Sequence, residues 1–298
     1  MSTQQLSFKI YQPQQQAKAV VFCVHGMQEH KMRYDALAQY FTSHDYACIT
    51  YDLPGHGETA GSKDNQGYFS DTDGWKTLVD SAVQIANIAK KEFPNIPVIY
   101  FGHSMGTLIG RTFLQEHDDI IDGMILSGVP TYQSACKVGV VLAKCVIAFK
   151  GKKGHSKLLS TLATGSFNKV IENPETNVDW LSYNKDNVQE YINDEWCGFD
   201  FTNVGYLDLF TLMDKMGNTS LYKCTKPNLP IYVFAGEDDP CIGGEKGFNV
   251  SIDILKKARY THIDTKLFEH MRHETLHEDD AEKVMEEAVK WLDNNIHA

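Results

Sequence analysis

The 298-residue sequence predicts an α/β protein: a mostly parallel sheet flanked by helices, with an inserted, mainly helical cap. Short apolar runs alternate with helical patterns along most of the chain. This alternation is typical of parallel strands that are covered by helices on both faces. Between about residues 131 and 226 the alternation stops, although predicted strands precede and follow this stretch. We therefore expect this stretch to lie on the sheet as a cap.

The individual elements follow from these patterns in chain order. Six buried strands are predicted, over residues 19–24, 47–51, 98–101, 123–126, 231–235 and 266–268. Clear helical patterns cover residues 75–91, 105–116 and 279–294, and the last begins with acidic residues that favour a helix N-terminus. The resulting domain prediction is a core of residues 1–132 and 227–298 and a cap of residues 133–226.

The composition excludes some classes of function. The formal net charge is −11, and no run of Lys and Arg could follow a phosphate backbone, so we expect no nucleic-acid partner. The seven cysteines are scattered and never spaced C-x-x-C, which indicates a reducing compartment. We find no signal-peptide pattern and no apolar run that could span a membrane. These features predict a cytoplasmic protein and leave its oligomeric state open.

The pentapeptide Gly102-His103-Ser104-Met105-Gly106 matches the pattern G-x-S-x-G. It follows a predicted strand and opens a predicted helix, which is the context in which this pattern forms a sharp turn. Side chains at the two glycine positions would clash in that turn. The turn exposes the serine hydroxyl at the end of the strand, so we predict that Ser104 is a nucleophile.

A nucleophilic serine needs a base, and the base needs an acid that orients it. With this turn, the acid follows the serine in the chain and the histidine comes last. Asp238 and Asp239 stand directly after the fifth predicted strand, where groups that face a ligand lie in parallel sheets. His270, His273 and His277 follow the sixth strand and are the candidate bases.

Two backbone N–H groups are needed to bind the oxyanion of an acyl-transfer intermediate. One is predicted at Met105, directly after the nucleophile. The other is predicted at Met27, because Gly26 permits a turn that points this N–H group inward. His103 is interpreted as a packing or hydrogen-bonding residue rather than as a second base.

A competing pattern overlaps the candidate bases. The stretch His273-Glu274-Thr275-Leu276-His277 spells H-E-x-x-H, in which two histidines on one helix bind zinc. Here the stretch directly follows a predicted strand, and helix-start signals come only at residues 278–280. We therefore interpret it as a loop and predict no metal site.

Five motifs occur in order: His25-Gly26-x-x-Glu29-His30-x-x-Arg33-Tyr34, Asp52-x-Pro54-Gly55-His56-Gly57, Gly102-His103-Ser104-Met105-Gly106, Gly236-Glu237-Asp238-Asp239-Pro240 and Arg272-His273-Glu274-x-x-x-Glu278. Together they resemble the monoacylglycerol lipase and lysophospholipase-like α/β hydrolases, also labelled serine aminopeptidase-like, and bacterial members in particular. The resemblance covers nearly the whole chain. It implies the α/β-hydrolase fold, Asp239 as the acid, His273 as the base, and no metal or organic cofactor.

The resemblance also implies a small-molecule or lipid-like ester as substrate, such as a monoacylglycerol or a lysophospholipid. Two other functions stay open: an amidase or aminopeptidase of the same fold, and a catalytically inactive protein that binds acyl ligands. In the cap, the apolar residues 135–149 could pack on the core, line an acyl tunnel or contact a membrane surface transiently.

Overall fold

The centre of the molecule is a seven-stranded sheet, in a computed structural model that describes residues 5–297. In chain order the strands are β1 (Phe8–Tyr11), β2 (Val20–Val24), β3 (Ala47–Tyr51), β4 (Val98–His103), β5 (Gly123–Ser127), β6 (Ile231–Gly236) and β7 (Ile263–Phe268). Their order across the sheet is β1-β3-β2-β4-β5-β6-β7. Strand β1 pairs with β3 in antiparallel orientation, and the pairs from β3 to β7 are parallel.

Helices cover both faces of this sheet. Along the described part of the chain the helices are α1 (Asp35–Ser43), α2 (Gly74–Glu92), α3 (Met105–His117), α4 (Cys136–Lys150), α5 (Lys157–Thr164), α6 (Lys185–Asn193), α7 (Asn203–Gly217), α8 (Gly244–Lys257) and α9 (Ala281–Asn295). Alternate residues of β2 enter two different cores, because successive side chains of a strand point to opposite faces. Val20 and Phe22 share a core with α2, α3 and α8, whereas Val21 and Cys23 share one with α1 and α9. The predicted fold class is thus confirmed.

The predicted strands are all present, and the largest boundary error is at β7. This strand begins at Ile263 rather than at residue 266, because its first residues are largely polar and exposed and carry no apolar signal. Strand β1 was not predicted for a similar reason: it lies at the edge of the sheet, is short, and is at most half-buried. An edge strand leaves no clear apolar pattern in the sequence.

The predicted cap, residues 133–226, contains helices α4 to α7. Helices α4 and α7 pack closely, and a Cβ atom on Gly139 of α4 would lie 2.9 Å from the ring of Phe210 of α7. The division into a core domain and a cap domain stays a prediction. Among residues 5–297, no helix is both long enough and apolar enough to cross a membrane.

Candidate active site

Ser104 connects β4 to α3, with backbone angles of φ 51° and ψ −114°. A positive φ is uncommon for a residue with a side chain, so surrounding contacts must hold this turn. A Cβ atom on Gly106 would lie 2.1 Å from the carbonyl oxygen of Val24, and one on Gly102 would lie 2.8 Å from that of Gly106. Only glycine fits these two positions without movement of the backbone. The half-buried Ser104 therefore lies at the C-terminal end of β4, as the sequence pattern predicts.

The structure distinguishes between the two candidate acids after β6. Asp239 is buried, and its Oδ2 lies 2.8 Å from Nδ1 of His273, while its Oδ1 accepts a 2.8 Å hydrogen bond from the N–H of Cys241. Asp238 is exposed and accepts a 3.0 Å hydrogen bond from the hydroxyl of Tyr183. Burial lowers the pKa of His273, but the charge and hydrogen bond of Asp239 outweigh burial and raise this pKa above its usual value.

The other histidines near the site differ from His273 in their surroundings. The ring of His103 lies 4.7 Å from that of His273, and burial together with His273 keeps the pKa of His103 well below its usual value. Burial also lowers the pKa of His277, to about 4. His270 stacks on the ring of Tyr183 at 4.3 Å. Of the three candidate bases, His273 is the one held by the buried acid.

The H-E-x-x-H stretch forms a loop with a 3-10 turn at its end and not an α-helix. Its two histidines therefore do not lie on one face of a helix, as the zinc arrangement requires. Its glutamate, Glu274, is bound by Arg33 at 2.8 Å and by the side-chain amide of Asn187 at 2.7 Å. The interpretation of this stretch as a loop agrees with the structure.

Two groups of side chains in the described part of the chain bring metal-ligating atoms within 4.8 Å of one another. One group lies where the cap meets the loop after β2, and the other overlaps the candidate acid and base. They are His30 with Asp194 and Cys197, and Asp239 with Cys241 and His273. Neither group unites the two histidines of the H-E-x-x-H stretch.

The loop after β2 is oriented by a neutral histidine. Burial lowers the pKa of His25 to about 3, so its ring can both donate and accept a hydrogen bond. Its Nδ1 lies 2.8 Å from the carbonyl oxygen of Gly26, and its Nε2 accepts a 3.0 Å hydrogen bond from the N–H of Leu53. Because a trans peptide points its N–H opposite to its carbonyl, the N–H of Met27 points away from this ring. Met105 is the first residue of α3, and the N–H groups in the first turn of a helix have no hydrogen-bond partner within that helix.

A buried ion-pair network lies behind this loop. Glu29 accepts hydrogen bonds from the N–H of Gly26 and, at 2.9 Å, from the hydroxyl of Tyr34. Arg33 pairs with Glu29 at 3.4 Å and with Glu274 at 2.8 Å. Burial raises the pKa of Glu29, whereas Arg33 outweighs burial at Glu274 and lowers that pKa. The network links the loop after β2 to the loop after β7.

A cavity of about 380 Å³ opens beside these groups. Its inner end is lined by the predicted nucleophile, the predicted base and the two predicted oxyanion donors, namely Ser104, His273, Met27 and Met105. Apolar side chains of the cap form the walls farther out, among them Val138, Leu142, Leu162, Leu209 and Met213. A mostly apolar cleft with a few polar groups at one end is the usual form of a small-molecule site.

The sequence profile of a known family, described as "Serine aminopeptidase, S33", matches residues 15–280. This match covers most of the 298-residue chain. The chain belongs to this family.

Several relatives of this S33 family member are named as lipases or esterases. A monoglyceride lipase of Rattus norvegicus is 32% identical over 144 residues, which is 47% of this chain and 46% of the relative. The match thus spans about half of that relative's length. A monoacylglycerol lipase of Mycolicibacterium smegmatis is 23% identical over 97% of this chain and 93% of its own. The crystal structure of a carboxyl esterase from Bacillus coagulans, in complex with glycerol, superposes with a TM-score of 0.90 at 26% identity and covers 97% of this chain and 94% of its own. These findings confirm the resemblance that the motifs predict.

The structure brings most of the predicted site residues of this S33 family member together. Asp239 and His273 are hydrogen-bonded, and Ser104 lines the same cavity. Within residues 5–297 the Ser104 hydroxyl makes no hydrogen bond to His273, and such contacts often tighten only when substrate binds. The catalytic roles of these residues stay predictions. Sequence reasoning did not anticipate the orienting role of His25 or the position of Trp180, whose ring lies 4.9 Å from that of His273.

Proposed function

We propose that this chain is a serine hydrolase that cleaves carboxylic esters of monoacylglycerol or lysophospholipid type. The observation that carries the proposal is the buried Asp239–His273 pair beside the strained Ser104, at the inner end of an apolar cavity. A serine, an acid and a histidine, in this order along the chain, are the parts of an acyl-transfer site. The names of the relatives support an ester as substrate.

The proposed reaction is acyl transfer through a covalent acyl-enzyme. His273 takes the proton of the Ser104 hydroxyl while its oxygen attacks the ester carbonyl. The N–H groups of Met27 and Met105 bind the oxyanion of the tetrahedral intermediate. His273 then gives the proton to the departing alcohol, and afterwards activates a water molecule that releases the acid. Asp239 holds the ring of His273 and stabilises its charged form.

The proposed acyl site is the apolar part of the cavity, where side chains of α4 and α7 form the walls. Val138 and Leu142 of α4 line it together with Leu209 and Met213 of α7. Burial of an acyl chain there would contribute about 0.8 kcal/mol for each methylene group. A charged amino terminus would lose water at such walls, and the two carboxylates that line the cavity, those of Glu29 and Glu274, are already paired with Arg33, so we favour esters over aminoacyl amides.

We expect p-nitrophenyl esters and monoacylglycerols to be hydrolysed and aminoacyl anilides to be cleaved at least about 100-fold more slowly, in a panel measured as kcat/KM.

Leu142→Trp should fill part of the acyl site. We expect it to lower the ratio of kcat/KM for p-nitrophenyl laurate to kcat/KM for p-nitrophenyl butyrate about tenfold. A laurate-to-butyrate ratio that Leu142→Trp leaves unchanged would place the acyl chain elsewhere. Preference for aminoacyl anilides would instead identify an aminopeptidase.

We also propose that the cap contacts a lipid surface transiently. Val141 of α4 is 60% exposed, Phe149 is 90% exposed, and Val170 is 69% exposed. Val138, also 60% exposed, lines the cavity as well and lies one helical turn before Val141, so exposed apolar side chains of α4 extend to the cavity. An enzyme that takes single-chain lipids would receive them directly from a membrane at this surface.

The double variant Val141→Ser/Phe149→Ser is expected to lower partitioning onto phosphatidylcholine vesicles about tenfold, because it removes two apolar side chains from the surface. Cosedimentation with the vesicles measures the partitioning. An unchanged kcat/KM for a water-soluble ester shows that the variant is still folded. The matched control is Val250→Ser on α8, which also removes an exposed apolar side chain but lies outside the cap. Equal loss in the control, or no loss in the double variant, would contradict the proposal.

A further inference from the structure

A short segment of the cap, residues 179–184, lies against the loop that carries His273, and we call this segment the strap. Two groups that flank His273 in sequence bind the strap backbone. Nη1 of Arg272 donates to the carbonyl oxygens of Asp179 at 2.7 Å and Ser182 at 3.2 Å. The N–H of Glu274 donates to the carbonyl oxygen of Leu181 at 2.7 Å. The strap is thus bound on both sides of His273 along the sequence.

The buried carboxylate of Glu278 joins the strap to the same loop a second time. Its Oε2 accepts from the hydroxyl of Ser182 at 2.7 Å, and from the N–H groups of Tyr183 at 2.9 Å and Asn184 at 3.2 Å. Its Oε1 accepts from the N–H of Arg272 at 2.8 Å. A buried carboxylate that accepts several hydrogen bonds holds its donors in one arrangement.

The strap places the indole of Trp180 beside the candidate base. The ring centroids of Trp180 and His273 lie 4.9 Å apart, with an angle of 39° between the planes. Phe167 packs on the indole at 4.9 Å, and the backbone N–H of Trp180 donates to Oδ1 of Asn168 at 3.1 Å. The indole is therefore held from the cap side as well as through the strap.

We propose that Trp180 is a positioning residue for His273 and that Arg272 and Glu278 hold it in place through the strap. This inference rests on the proposed function, in which His273 is the base. His273 lies in a loop, and its hydrogen bond to Asp239 fixes only the Nδ1 edge of the buried ring, so the tilt of the ring depends on the side chains packed against it, those of His103 and Trp180. The indole restricts the tilt and excludes water, and its face stabilises the imidazolium that forms during the reaction.

The first test is Trp180→Leu, assayed with p-nitrophenyl acetate, whose short acyl group does not reach the outer walls of the cavity. We expect kcat to fall about tenfold with KM changed less than about twofold, because the base and not the acyl site is disturbed. Trp180→Phe should recover kcat to within about threefold of wild type, since a ring still covers His273. The matched control is Trp196→Leu, which removes another half-buried tryptophan of the cap. A kcat near wild type in Trp180→Leu, or an effect on KM alone, would overturn the inference.

The second test is a double-mutant cycle between Trp180→Leu and Glu278→Gln. If Glu278 acts through the indole, Glu278→Gln should lower kcat about threefold to tenfold in the wild type and less than about twofold in the Trp180→Leu background. Independent structural damage would instead multiply the two losses. Thermal unfolding midpoints of the single variants separate a global loss of stability from the local effect.

A third measurement does not depend on turnover. The proton on Nδ1 of His273 should give a far-downfield NMR signal because of its hydrogen bond to Asp239. In Trp180→Leu this signal should broaden through faster exchange with water, and in Trp180→Phe it should persist. An equally sharp signal in Trp180→Leu would contradict the inference. Hydrolysis that survives Ser104→Ala would reject the proposed function and leave this NMR result to decide the position of the ring.

Discussion

Ser104→Ala is expected to lower kcat/KM for p-nitrophenyl esters by at least about 10⁴-fold, because the acyl-enzyme cannot form without the hydroxyl of the nucleophile. The same change should abolish covalent labelling of the protein by a fluorophosphonate probe, which reacts with an activated serine. Mass spectrometry of the labelled wild type should locate the probe at residue 104. Both losses have one cause, the missing hydroxyl at the end of β4.

The variant should remain folded, so its inactivity can be assigned to chemistry. Alanine adopts the positive φ of residue 104 no less easily than serine, and the hydroxyl makes no hydrogen bond within the described part of the chain. We therefore expect the thermal unfolding midpoint to move by no more than about 2 °C. A wild-type protein that the probe does not label would favour an inactive acyl-binding protein. Labelling that persists in Ser104→Ala would place the nucleophile elsewhere.

Ser104 and the strands around it could be predicted because short, continuous stretches of sequence carry their signals. Ser104 could be predicted because Gly102 and Gly106 are required by close approaches of the backbone, down to 2.1 Å for a Cβ atom on Gly106. The strands around it could be predicted because they are buried on both faces, and such strands appear as continuous apolar runs. Local sterics and burial are both visible in a single stretch of sequence.

What could not be predicted depends on contacts between distant parts of the chain. Trp180 lies in the cap, and its contact with His273 accompanies the hydrogen bonds that Arg272, Glu274 and Glu278 make to the strap. These contacts join residues far apart in the sequence, so no local sequence pattern predicts them. The choice between Asp238 and Asp239 likewise needed the fold or the family, since the two are adjacent aspartates. In the structure, burial and the bond to His273 separate them.

Asp239→Asn is expected to lower kcat/KM about 10⁴-fold without loss of the fold, by analogy with the role of the acid in serine–histidine–acid sites. Asp239 uses both oxygens: Oδ1 accepts from the N–H of Cys241 at 2.8 Å, and Oδ2 lies 2.8 Å from Nδ1 of His273. Asparagine has a single acceptor oxygen. If that oxygen keeps the bond from Cys241, its NH₂ group faces Nδ1 and stabilises the tautomer with the proton on Nε2, which cannot accept the proton of Ser104.

The matched control is Asp238→Asn, which makes the same change one residue earlier in the chain. Asp238 is exposed, and its carboxylate bonds only the hydroxyl of Tyr183 among the residues described, so we expect kcat/KM within about threefold of wild type. The pH profile of kcat/KM gives an independent measure. Burial lowers the pKa of His273 and Asp239 outweighs it, so the loss of this carboxylate should lower that pKa. A base with a lower pKa stays deprotonated in more acidic solution, so the residual activity of Asp239→Asn should have its acid limb at lower pH than the wild type, whereas Asp238→Asn should leave that limb in place. Loss of activity in Asp238→Asn and not in Asp239→Asn would mean that the exposed aspartate is the acid, against the hydrogen bond that the buried one makes.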